Sequence, residues 1–163
     1  MRTALDRKTM IDNVLRGLGT PLNQMVSPSN KKWLSNDVSA SNFDLNKAKE
    51  LLKEAGFTSS ENGLLDKAGK AVEFTLIVDE SVAPRKAMAT IVQEDLAKLG
   101  IKVNVIALEK NAFVEMIDKK ANYDAAIHGY APTDLEPATT LSGMKVGGGQ
   151  HYWFIGQKQA KEE

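Results

Sequence analysis

The chain has 163 residues, 42% of them hydrophobic and 26% charged, with 21 Lys and Arg against 21 Asp and Glu and no cysteine. The lack of thiols excludes a disulfide-stapled mini-protein, a zinc ribbon and a thiol enzyme, and the balanced charge lacks the electrostatic footprint of a nucleic-acid-binding domain. A chain of this length buries roughly two-thirds of its unfolded surface, so one globular domain with its own core is expected.

Apolar stretches are short and interrupted by charge, and none approaches the roughly 18 to 20 residues of a bilayer span. Met1 leads directly into Arg-Thr-Ala-Leu-Asp-Arg-Lys, which reads as a charged helix start and not as an apolar signal segment.

Asp6 is placed to cap a first helix carrying Ile11, Val14, Leu15 and Leu18 at helical spacing, with Gly19 and Pro21 as its stop. From Thr20 to about Asn42 the chain is rich in Pro, Ser and Asn, and an irregular segment anchored by Met25, Val26, Trp33 and Leu34 is expected. Asp44 caps a second helix with Ala48, Leu51, Leu52 and Ala55 on one face and Gly56 at its end. Polar turns follow around Glu61-Asn62-Gly63 and Asp66-Lys67-Ala68-Gly69.

The pattern then changes to period two. Val72, Phe74, Leu76 and Val78 alternate with polar neighbours and predict a strand. A long helix is expected over 84–99, a second strand over 101–108, a short helix capped by Asn111 and carrying Phe113, Met116 and Ile117, and a third strand over 123–129. The order β-α-β-α-β calls for an α/β fold with a mostly parallel sheet flanked by helices. Placing the first strand centrally puts a topological switch point between the first and third strands, and ligands of such sheets gather at the carboxyl ends of the strands there. Those ends are Asp79-Glu80-Ser81 and His128-Gly129-Tyr130.

Just past the third strand, Tyr130, Asp134 and Glu136 join an aromatic ring to two carboxylates, a set that attracts cationic ligand groups. The same carboxylates also suit a solvated loop in which Pro137 opens a turn. His151, Tyr152, Trp153 and Phe154 follow three glycines, either as a ligand-facing aromatic wall on a hinge or as an aromatic run docking a terminus. Those glycines lack the preceding strand and the Lys-Ser/Thr of a phosphate loop. Asp79 and Glu80 resemble the acidic pair of a phospho-receiver, but the third strand ends in His128 and Gly129 where the acceptor Asp would stand. The two histidines form no ligand-spaced pair, and neither a metal nor a cofactor is expected. No nucleophile elbow appears, so a non-catalytic role is expected. Arg85 and Lys86 open the long helix at its positive end, as part of an anion-facing site or as plain surface charge.

Several stretches together resemble one family. They are Asp6-Arg7-Lys8-Thr9-Met10-Ile11 with Gly17-Leu18-Gly19-Thr20-Pro21, the run from Phe43 to Phe57, Asp95-Leu96-Ala97-Lys98-Leu99-Gly100 and Tyr123-Asp124-Ala125-Ala126. The chain resembles the second lobe of the family 5 extracellular solute-binding proteins, the peptide- and nickel-type receptors of ABC importers. The resemblance implies a periplasmic-binding-protein-like lobe whose missing first lobe completes the cleft. It also implies a peptide-like or other small polar solute, an ABC permease as partner, and a periplasmic or extracellular, membrane-associated location. It implies a single lobe over 1–163, with a helical and loop segment (1–60), a β-α-β-α-β core (70–130) and a ligand-side loop and tail (131–163). In peptide-binding members an aromatic-x-x-Asp-x-x-Asp/Glu-Pro loop meets the ligand. Tyr130 and Glu136-Pro137 match its ends, whereas Thr133 falls where the Asp would be, with Asp134 one position later. The site implied comprises Tyr130, Asp134, Glu136, His151 and Trp153. A stand-alone flavodoxin-like interaction or signalling domain is the alternative.

Overall fold

The computed structural model of the protein describes residues 1–24, 26–35, 37–39, 41–120 and 122–129. The chain divides into two compact units, one of Met1–Pro21, Ala40–Phe113 and Tyr123–His128, the other of Leu22–Ser39, Val114–Asn122 and Gly129–Glu163.

The first unit begins with the Asp6 cap, whose carboxylate accepts the Thr9 N–H at 3.0 Å and the Thr9 hydroxyl at 2.8 Å. Helix α1 (Arg7–Thr9) continues as a wider π turn over Met10–Val14. It ends earlier than its periodicity predicts. Arg16 and Gly17 both have positive φ, and the Gly17 N–H turns back to the Ile11 carbonyl, so the stop lies before Leu18, which is left 83% exposed. A glycine adopts that left-handed geometry without steric cost, which is why the turn forms there and not at Gly19.

Asp44 caps α2 (Leu45–Glu54) as expected, accepting the Lys47 N–H at 2.9 Å, while its own N–H donates to the Thr3 carbonyl at 2.8 Å. The buried face of α2 is Leu45, Ala48 and Leu52. Leu51 and Ala55, expected on that face, are exposed, because contact with the core selects the Leu45 stripe and turns Leu51 outward. The segment read as turns contains an antiparallel hairpin of β1 (Thr58–Ser60) and β2 (Gly63–Leu65). Asp66 then organises the next turn, its Oδ1 accepting the Ala68 and Lys70 N–H groups at 2.8 and 2.9 Å.

The main sheet has the expected order. Strand β3 (Glu73–Asp79) is central, with β4 (Lys102–Leu108) and β5 (Ala125–Ile127) parallel to it on either side. The alternation predicted for β3 fails at its carboxyl end, where Leu76, Ile77, Val78 and Asp79 are all buried. Parallel strands covered on both faces have no solvent side to alternate with. Asp124 extends the β3–β5 pairing by one rung: its carboxylate accepts the Thr75 N–H at 2.7 Å and its N–H donates to the Thr75 carbonyl at 3.2 Å.

Helix α3 (Ala83–Ala97), with Pro84 in its first turn, joins β3 to β4 and is tied to β4 by Gln93, whose Nε2 donates to the Val103 carbonyl at 2.7 Å. The core gathers Ala48 of α2, Leu64 of β2, Leu76 and Val78 of β3, Ala89 and Leu96 of α3, and Val103 of β4. Leu96, Ile77, Val78 and Phe113 are the largest fully buried side chains, each contributing about 1.5 to 3 kcal/mol of apolar transfer. Helix α4 (Lys110–Glu115) starts one residue before the predicted cap: Asn111 is inside it and donates its N–H to the Glu109 carboxylate at 2.9 Å.

In the second unit, Lys31–Trp33 forms a 3-10 turn with the Lys32 ammonium 4.9 Å from the Trp33 ring, and Met116–Lys120 forms a π turn with Ile117 buried. Gln24 and Ser35 clasp the irregular segment through two hydrogen bonds of 3.1 and 3.3 Å. Trp33, expected as an apolar anchor, is 43% exposed. Met25 lies outside the described residues.

Candidate functional site

The carboxyl ends of β3 and β5 lie next to one another, since Val78 pairs with Ile127 at the last rung they share. Asp79 ends β3 and is only 5% exposed. A buried carboxylate is costly unless its lone pairs are engaged, and here both oxygens are. Oδ1 accepts the Ser81 hydroxyl at 2.6 Å and the Ser81 N–H at 3.0 Å, and Oδ2 faces Arg85 Nη1 at 3.4 Å. These contacts hold the carboxyl below the ordinary carboxylate range: the Ser81 hydroxyl contributes most, burial opposes it, and the Ser81 amide and the charges of Arg85 and Lys110 add to the lowering.

This arrangement explains the cation at the start of α3. Arg85 sits where the helix dipole repels it, and the Asp79 carboxylate offsets that cost. Arg85 therefore serves an internal pair, while Lys86 is exposed. Sequence reasoning missed the pairing, although the six-residue separation across a tight strand-to-helix turn carries the signal.

His128, beside the end of β5, is exposed, and its ring stacks at a 30° tilt on buried Phe113, with centroids 5.7 Å apart. The edge therefore offers a fixed carboxylate–guanidinium pair, a serine hydroxyl and an imidazole ring seated on an aromatic. The two expected strand ends, at Asp79-Glu80-Ser81 and at His128, thus come together by sheet order. Tyr130, Asp134, Glu136, His151 and Trp153 lie outside the described residues. Among the described residues, no group of three or more His, Asp or Glu is placed to hold a metal ion, and no helix is long and apolar enough to cross a membrane.

Several residues that carry the resemblance prove to be scaffolding. Asp6 caps α1 and also donates its own N–H to Asp95 Oδ2 at 2.8 Å. Arg7 donates from Nη2 to the Ser41 carbonyl at 2.7 Å. Asp124 lengthens the sheet.

Residues 1–152 match the model of the bacterial extracellular solute-binding proteins, family 5 middle region. A probable ABC transporter-binding protein of Deinococcus radiodurans is 33% identical over 93% of this chain and 28% of its own length. The oligopeptide-binding protein AppA of Bacillus subtilis is 35% identical over 80% of this chain and 25% of its own. Its structure in complex with a nonapeptide superposes with a TM-score of 0.74 over 81% of this chain and 27% of that one. The structure of NikA from Brucella suis in complex with Fe(III)-EDTA superposes at 0.73, with 27% identity over 89% of this chain and 30% of that one. The chain thus spans about a quarter to a third of the length of the relatives it matches.

Proposed function

Because the chain belongs to the bacterial extracellular solute-binding proteins of family 5, we propose that it is one lobe of the receptor of an ABC importer, outside the cytoplasm, capturing a peptide-like or other small polar solute for a membrane permease. The observation that carries this reading is the family match over 1–152. The sheet order supports it, because sheets with a switch point such as that between β3 and β5 receive ligands at the carboxyl ends of those strands, and Tyr130 follows β5 by three residues in sequence. On this reading the whole of 1–163 is one lobe, the missing first lobe supplies the other wall of the cleft, and the chemistry is capture by closure, not catalysis. Tyr130, Asp134, Glu136, His151 and Trp153 line the ligand side. A flavodoxin-like stand-alone domain shares the sheet order, and the family match favours the lobe.

The test is calorimetric titration of the full-length protein with synthetic oligopeptides, alongside mass spectrometry of solutes that co-purify with it. Tyr130→Ala is expected to weaken binding by about tenfold or more, as loss of a stacking aromatic does, with an unchanged melting temperature. An unchanged Kd removes Tyr130 from the site, and submicromolar binding of a peptide to the 163-residue chain alone overturns the half-site reading.

A further inference from the structure

Away from the carboxyl edge of the sheet, a cavity of about 210 Å³ opens between α2, the β1–β2 hairpin and the turn after α3. Three lysines line it: Lys49 and Lys53, one helical turn apart on α2, and Lys98 after α3. Lys98 is already committed, its Nζ 2.8 Å from Oδ1 of buried Asp95. The side chains of Lys49 and Lys53, both exposed, form no ion pair or hydrogen bond among the described residues, so two of the three ammonium groups lining the cavity are available to a ligand.

The hairpin wall adds a donor. The Ser60 hydroxyl is spent inside the hairpin, donating to the Gly63 carbonyl at 2.8 Å, whereas the adjacent Ser59 hydroxyl, also lining the cavity, has no hydrogen-bond partner among the described residues. The floor is a backbone contact that only glycines allow. The Leu64 N–H donates to the Gly100 carbonyl at 2.8 Å, and Gly63 and Gly100 both have positive φ. A Cβ on Gly63 would lie 2.7 Å from the Gly100 oxygen, and one on Gly100 2.7 Å from the Leu64 nitrogen.

We propose that this cavity binds a phosphate-type dianion between Lys49, Lys53 and the Ser59 hydroxyl. Two free ammonium groups match the charge of about −1.5 to −2 that a phosphoryl group carries at neutral pH. The lining contains no carboxylate to repel an anion, and lysine binds phosphate oxygens as a point charge. The cavity lies beside Gly100 at the amino end of β4, and its assignment does not depend on the solute-receptor reading.

The test titrates the isotope-labelled 163-residue chain with inorganic phosphate at constant ionic strength and follows amide shifts by NMR. Saturable shifts confined to residues 49–53 and 59–64 are expected, and Lys49→Gln/Lys53→Gln should weaken the apparent affinity about tenfold while leaving the rest of the spectrum in place. A phosphate-dependent rise in the melting temperature of the full-length protein, lost in the same double variant, gives the result without spectral assignment. Co-sedimentation with vesicles of phosphatidic acid in phosphatidylcholine, lost in the double variant, assigns the phosphate to a lipid headgroup, and its absence beside intact phosphate shifts assigns it to a free ion. Linear shifts scattered over all lysine-rich surfaces, or equal affinity in the double variant, overturn the proposal.

Discussion

The backbone N–H of Asp6 donates to Oδ2 of Asp95 at 2.8 Å, across 89 residues of sequence. Asp95 is 2% exposed, on the last turn of α3, and its other oxygen holds Lys98. One carboxylate thus ties the start of α1 to the end of α3. Removing it strands a part-buried N–H and a cation, at a cost of about 1 to 3 kcal/mol. Asp95→Ala should lower the urea midpoint accordingly with an unchanged slope, and Asp95→Asn, which keeps an acceptor for Asp6, should lose less. A wild-type midpoint in Asp95→Ala would show that the tie contributes nothing.

The Asp6 cap carries a pH signature. The Thr9 N–H is the main cause that holds its carboxyl below the ordinary value of 3.8, with burial opposing and the Thr9 hydroxyl, the Lys8 amide and the Lys98 charge assisting. A group depressed in the folded state binds its proton more readily when unfolded. Its charge therefore contributes stability that is fully present above the ordinary value and is lost as the pH falls through the folded-state value. Asp6→Asn keeps a capping oxygen and removes the charge. Its stability deficit against wild type, measured by denaturant melts across pH, should be constant at neutral pH and shrink below about pH 4. A deficit that persists unchanged into strong acid assigns the effect to shape and not to charge.

The Gly63–Gly100 contact admits no side chain on either strand of backbone. Gly63→Ala combines a disfavoured φ of 113° with a Cβ placed 2.7 Å from a carbonyl oxygen, and should cost more than about 2 kcal/mol. Gly69→Ala has a positive φ of 79°, nearer the left-handed region, with open space around it, and should cost only about 1 kcal/mol. Thermal melts of the two variants check this, and equal losses would mean that the close approach relaxes freely.

The caps at Asp6 and Asp44 were legible because a short acceptor before an amphipathic run satisfies local N–H groups wherever the helix docks. The hairpin at Thr58–Leu65 was not read, since its first strand is exposed on every residue and shows no alternation, leaving Asn62-Gly63 as its only local sign. The Asp79–Arg85 pair is hidden as well: the sequence offers Asp79 as half of an acidic pair with Glu80 and Arg85 as an anion-facing or surface charge, and only burial of the strand end makes the two partners.

By itself the sequence determined the alternation of strands and helices and the central place of β3, because hydrophobic period and crossover length are local properties that topology must obey. Only the tertiary structure decided where α1 stops, which stripe of α2 is buried, and which charges answer one another at Asp79 and Asp95. Those outcomes depend on what is packed against each group, and desolvation, which sets the cost of leaving a charge or an N–H unmatched, is a property of the assembled fold and of no residue alone.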